Sequence, residues 1–145
     1  MAYCLQTDLE KAITLDILVQ LTDDLFTGSI NTDNLNQCIE NADSLINAYL
    51  RPIYFVPVIN PPNVLKSLSI SVSLYNLYKR RASVFGGCPE WVMLQYTDAI
   101  KQLKDIRNGN MHLDVDPQPT ASSAQIAEAS TVPVAVYTDT TLQDW

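Results

Sequence analysis

The residues best placed to do chemistry stand in "LTDDLFTGSINTDNL", residues 21–35. A calcium-binding helix–loop–helix needs oxygen ligands at loop positions 1, 3, 5 and 12, a Gly at 6 and an apolar residue at 8. Counted from Asp23, the stretch supplies Asp23, Thr27, Gly28 and Ile30 at positions 1, 5, 6 and 8. It fails at position 3, which is Leu25, and at position 12, which is Asn34 where the bidentate Glu belongs. The expectation is a turn anchored by Ile30, with no metal site. Asp23 and Asp24 are adjacent carboxylates, but no nucleophile, base or phosphate loop accompanies them, so no catalytic residue and no enzyme activity is expected.

Other reactive types are sparse. His112 is the only His, which argues against a His-based triad or a multi-His metal centre. Cys4, Cys38 and Cys88 are odd in number and never paired as Cys-x-x-Cys, which argues against zinc and against a disulfide framework. No cofactor is implied. Among the bases one run stands out, Lys79-Arg80-Arg81. It can close a helix C-terminus, where cations are favourable, or meet an acidic partner or DNA.

Charge is distributed unevenly. The formal net charge is −7, and all nine Lys and Arg lie at or before Arg107. Beyond it come five acids and no base. Dedicated nucleic-acid binding needs a basic surface, so this balance argues against it. The N-terminus has no basic stretch followed by an apolar run, and no apolar run nears the roughly 18 residues of a membrane span. A cytosolic site of synthesis and no membrane partner are expected.

The 145 residues suffice for one domain with a single core. Thr7-Asp8-Leu9-Glu10 has the form of a capping box with Thr7 as cap, and a short helix should run to about Ile13. Thr14-Leu15-Asp16 should restart a second short helix. Asp33 or Thr32 can cap the next. Its apolar face is Leu35, Cys38, Ile39, Ala42, Leu45, Ile46, Tyr49 and Leu50, with Asn36, Glu40, Asp43 and Asn47 opposite and Pro52 as the stop. Residues 51–63 hold four prolines and should be a stiff extended connection. In it Tyr54 and Phe55 are either exposed interface anchors or packed on their own domain.

Residues 63–81 carry a conflict. Ser67, Ser69, Ser71 and Ser73 alternate with apolar residues, which is the strand signal, yet the segment is long and apolar on every side. A buried helix with serines at close contacts fits equally well. After the "GGCP" turn, Pro89 should open a last helix with Val92, Tyr96, Ala99, Leu103 and Ile106 on its apolar face and Gly109 as terminator. Tyr75, Tyr78 and Tyr96 are expected in the core. From Met111 the chain turns polar and acidic, as a linker or disordered tail does. Its "TVPVAVYT" could form a strand around Val132, Val134, Val136 and Tyr137, but has no partner strand in its own chain. It must stay loose or add to a neighbouring subunit or another protein. Trp145 could plug a partner pocket.

The order of features is itself informative. "MAY", "TDLEKAI", "LVQLTDD…TGSIN", "ENADSLINAYLRPIY", "P…PP" and "DIRNGN" together resemble the Mu-type bacteriophage head–tail joining (connector or adaptor) proteins, over residues 2–110. The resemblance tips residues 63–81 to helix. It implies an all-α fold: a connector domain at 1–110, a small bundle of four to five helices, followed by an acidic, partly extended tail at 111–145. It further implies a virion neck protein that assembles with itself as a ring, usually of twelve copies. The ring lies between the portal protein and downstream neck or tail proteins and continues the DNA channel. The alternative from the residues alone is a small regulatory or DNA-binding helical domain, since short helices around a Gly turn imitate helix-turn-helix.

Overall fold

The computed structural model describes residues 2–117. Among them the helices are α1 (Gln6–Ala12), α2 (Leu15–Thr22), α3 (Thr32–Leu50), α4 (Asn63–Arg80), α5 (Ala82–Phe85) and α6 (Glu90–Asn108). The fold is an all-α bundle. α5, a single turn, is the element that the sequence reading did not separate from the loop.

α4 settles the strand-or-helix conflict. In a strand all four serines would share one face. In the helix they divide into two pairs spaced by four. Ser69 and Ser73 are fully buried. Ser67 and Ser71 lie on the outer side and return their hydroxyls to the carbonyls of Val64 and Ser67, at 2.8 and 3.0 Å. Around them Leu65, Leu68, Val72, Leu74, Leu77 and Tyr78 are buried. α4 packs against each of the other five helices. It joins two apolar clusters: one with α6, the end of α3 and residues 54–58, the other with α1, α2 and the start of α3. Each fully buried Leu contributes about 1.5–3 kcal/mol.

The ends of the helices differ from the expected caps. Thr7 lies inside α1, and Asp8 does the capping by accepting from the Leu5 N–H at 3.0 Å. α3 is capped by Asn31, whose side chain accepts from the N–H groups of Asp33 and Asn34. Gly109 closes α6 as expected. It holds φ +80°, and the Gly109 and Asn110 N–H groups reach back to Ile106 and Asp105, the two bonds of a Schellman cap.

Two further departures come from burial. Asp43, assigned to the outer face of α3, is buried. Its carboxylate accepts from the Tyr3 N–H at 3.1 Å and the Ser69 hydroxyl at 2.8 Å, which pins the N-terminal segment across α3 and α4. Burial pushes its pKa up, against those two hydrogen bonds, which pull it down. The core also continues past Asn110. Met111, Leu113 and Val115 pack on the first cluster, and the Leu113 N–H donates to the Tyr54 hydroxyl at 2.9 Å. The folded unit therefore reaches at least Pro117, which pairs with Tyr54.

Tyr54 is thus a core residue, only 2% exposed, rather than an exposed interface anchor, whereas Phe55 beside it is 61% exposed. Tyr54→Phe leaves the buried Leu113 N–H without its acceptor and should cost about 1–2 kcal/mol in urea unfolding. Phe55→Ala should stay within about 0.5 kcal/mol. The reverse order of the two costs would contradict this assignment.

Candidate functional site: the Asp23 loop and its apolar corner

The loop between α2 and α3 is closed on itself. The Thr22 hydroxyl donates to Leu18 O at 2.9 Å and accepts from the Asn31 N–H at 3.2 Å, which joins the two ends of the loop. Asn34, at the position of the missing Glu, donates to Thr22 O at 2.9 Å and to Asp24 at 3.2 Å. The Asp23 carboxylate accepts from the Leu25 N–H at 3.2 Å, the Thr27 hydroxyl at 3.2 Å and the Gly28 N–H at 2.7 Å. Gly28 holds φ +79°, the left-handed conformation that turns its N–H inward.

The basic run of α4 meets this loop. Arg80 donates to Leu21 O at 3.0 Å and pairs with Asp24. Arg81, buried at the end of the helix, donates to Asp23 O and to Asp24 Oδ1, both at 2.8 Å. Desolvation pushes the Asp24 carboxyl up, but the Arg80 and Arg81 guanidinium groups outweigh it and hold the pKa below the usual carboxylate value. Asp23 is likewise held low, by the backbone and Thr27 donors acting against its desolvation. Two candidates that lie more than fifty residues apart are therefore one structure. The cations that the Asp24 carboxylate faces are two arginines of the same chain. Lys79 alone of the run points away, with Nζ 6.0 Å from the Tyr75 ring centre.

The clasp presents apolar residues to solvent. Leu25 is 81% and Phe26 85% exposed, and Val84 and Phe85 of α5 are exposed beside Phe26. Val19, Phe26, Arg81, Val84 and Phe85 line a cleft of about 410 Å³. Phe26 has φ +56°, a left-handed backbone that is costly for a bulky side chain and persists only where neighbours enforce it. Here the Leu25 and Gly28 bonds to Asp23 flank it. The chain holds a large aromatic group out in water on a braced loop. Sequence reasoning passed over Leu25, Phe26, Val84 and Phe85. The available signal was two large apolar residues inside a loop.

The remaining candidates are dispersed. Tyr78 is in the core, in edge contact with Trp91, whereas Tyr75 and Tyr96 are half-buried and stacked on each other. Cys4 and Cys38 are buried, and burial raises both thiol pKa values. Among the described residues, no group of three or more His, Cys, Asp and Glu is arranged to hold a metal ion. Val132, Val134, Val136, Tyr137 and Trp145 lie outside the described residues. No helix among the described residues is long and apolar enough to cross a membrane.

Fold and site together define a small all-α protein whose most distinctive surface is a braced apolar corner. The family model described as "Bacteriophage Mu, Gp36" matches residues 3–131. The chain belongs to that family of phage proteins, and the match runs beyond the 2–110 expected from the sequence motifs. No curated protein matches the chain.

The occupied loop carboxylates lead to a direct expectation. Titration calorimetry with calcium should show no micromolar binding. Micromolar binding that Asp23→Ala abolishes would contradict the closed-loop reading.

Proposed function

We propose that this chain is a structural virion protein, a head–tail connector that forms a ring between the phage portal and the tail. The ring extends the DNA channel and gives neck or tail proteins a docking surface. The proposal assigns it no catalytic role. Membership of the phage Mu family supports the setting. The observation that carries the docking role is the apolar corner of Phe26, Val84 and Phe85, with Leu25 exposed on the same loop. Monomeric soluble proteins seldom expose such clusters unless they bind something. A Phe held in a left-handed backbone by its neighbours is pre-organised, so little entropy is lost when it is covered.

The charge pattern suits a conduit. Wall surfaces that repel phosphate let DNA slide, and this chain carries −7 overall. The regulatory or DNA-binding alternative rested on short helices around a Gly turn, and the one basic run that could serve it is Lys79-Arg80-Arg81. With Arg80 and Arg81 turned into the clasp, only Lys79 is left to meet phosphate.

Light scattering of the protein mixed with the portal protein of the same phage provides the test. The expected result is a ring alone, or a monomer that adds to the portal by about a dozen copies. Phe26→Ser combined with Phe85→Ser should weaken that assembly by roughly thirtyfold or more, the scale of a lost hot spot of about 2 kcal/mol. Its helical circular dichroism should stay unchanged. Full assembly by a folded double variant would remove the corner from the interface. A chain that neither forms a ring nor joins the portal would overturn the connector reading.

A further inference from the structure

A second surface is built quite differently. On the face shared by α3, α4 and α6, Tyr75 and Tyr96 stack with ring centres 3.9 Å apart and planes 14° apart. Lys79 Nζ sits 6.0 Å from the Tyr75 ring centre. Beside them a cleft of about 240 Å³ is lined by Leu45, Tyr49, Tyr96, Ile100, Lys101 and Lys104, with Thr97 and no carboxylate. Lys79, Lys101 and Lys104 are exposed, and among the described residues no acid pairs with them. The floor is apolar, the wall aromatic and the rim cationic. Such a groove selects a ligand with spaced negative charges on an apolar, partly aromatic chain.

The chain carries such a sequence itself. Residues 118–145 contain Glu128, Asp139 and Asp144 and no base, with Val132, Val134, Val136 and Tyr137 between the first two acids and Trp145 after the last. Reach is ample. The described structure ends at Pro117, beside Tyr54. From there to Asp139 an extended chain spans on the order of 70 Å, against roughly 28 Å for the whole of α6. A tether of this kind gives the segment an effective concentration in the millimolar range, far above that of a second copy in dilute solution. Nucleic acid is the weaker candidate, because three lysines on an acidic protein release few counterions.

We propose that residues 126–145 of the same chain dock on this groove. Glu128, Asp139 and Asp144 meet Lys79, Lys101 and Lys104, and the valines, Tyr137 and Trp145 cover the tyrosine ledge. The proposal does not depend on the connector reading. The tail masks the groove of the free protein.

Zero-length carbodiimide cross-linking of the full chain tests it, on an equal mixture of nitrogen-15-labelled and unlabelled protein. Lys66 and Asp8, 2.8 Å apart, provide the internal positive control. The expected products join Lys79, Lys101 or Lys104 to Glu128, Asp139 or Asp144 within one isotope class. Their yield should fall several-fold in 0.5 M salt, where charges are screened within a few ångströms. If the control product forms and no groove-to-tail product does, the proposal is wrong. Products mainly of mixed isotope would overturn it in favour of a second copy's tail. A short duplex DNA that at low salt blocks the groove lysines and displaces the tail products would support the same groove assignment, whereas DNA bound there with no tail products at all would overturn it.

Discussion

Because α4 packs against every other helix, it buries one broad side and leaves only a strip around Ser67 and Lys79 to solvent, and this constraint shapes the rest of the fold. Where α3 and the N-terminal segment come close, α4 can carry only small groups, and Ser69 and Ser73 supply them. Their hydroxyls must then be satisfied in the interior. Ser69 bonds the Asp43 carboxylate, and Asp43 in turn fixes the Tyr3 backbone. A buried carboxylate without such donors would be costly. The polar contact thus sets the register in which the N-terminus, α3 and α4 assemble.

The same helix determines what its far end can do. Leaving the bundle at Arg80 and Arg81, α4 delivers two guanidinium groups to a loop rich in carbonyls and carboxylates. Their positions follow from the packing of the helix, so the loop is held by the core rather than by its own residues alone. The apolar corner is therefore anchored to the interior through the two arginines. Lys79, one residue earlier, faces another side and joins the tyrosine ledge. Three consecutive bases thus serve two surfaces, which a count of charges does not reveal.

Much of the architecture was legible because it is local. The spacing of Leu35, Cys38, Ile39, Ala42 and Ile46 defines α3, and Gly109 ends α6 where a left-handed residue is needed. The caps were less legible, since Asn31, Thr32 and Asp33 are all good cap residues, each for the N–H groups two and three positions on, and tertiary context selects among them. Asp43 was misplaced because an acid at the margin of an apolar face looks solvated until Ser69 and the Tyr3 N–H are brought to it. Tyr54 stayed open between surface anchor and core because the N–H that its hydroxyl accepts belongs to Leu113, in a segment whose composition suggested a tail. The clasp was invisible for the same reason. Asp23-Asp24 and Arg80-Arg81 are separately conspicuous, but only the fold says that they meet.

The two arginines hold the Asp23 loop in its exposed apolar form. Amide hydrogen exchange of the native protein and of Arg81→Gln measures this most directly. The Gly28 and Leu25 amides should be protected in the native chain and lose at least tenfold of that protection in the variant, while the amides of α3 and α6 keep theirs. Unchanged protection of Gly28 in a folded variant would mean that the loop is held without the clasp.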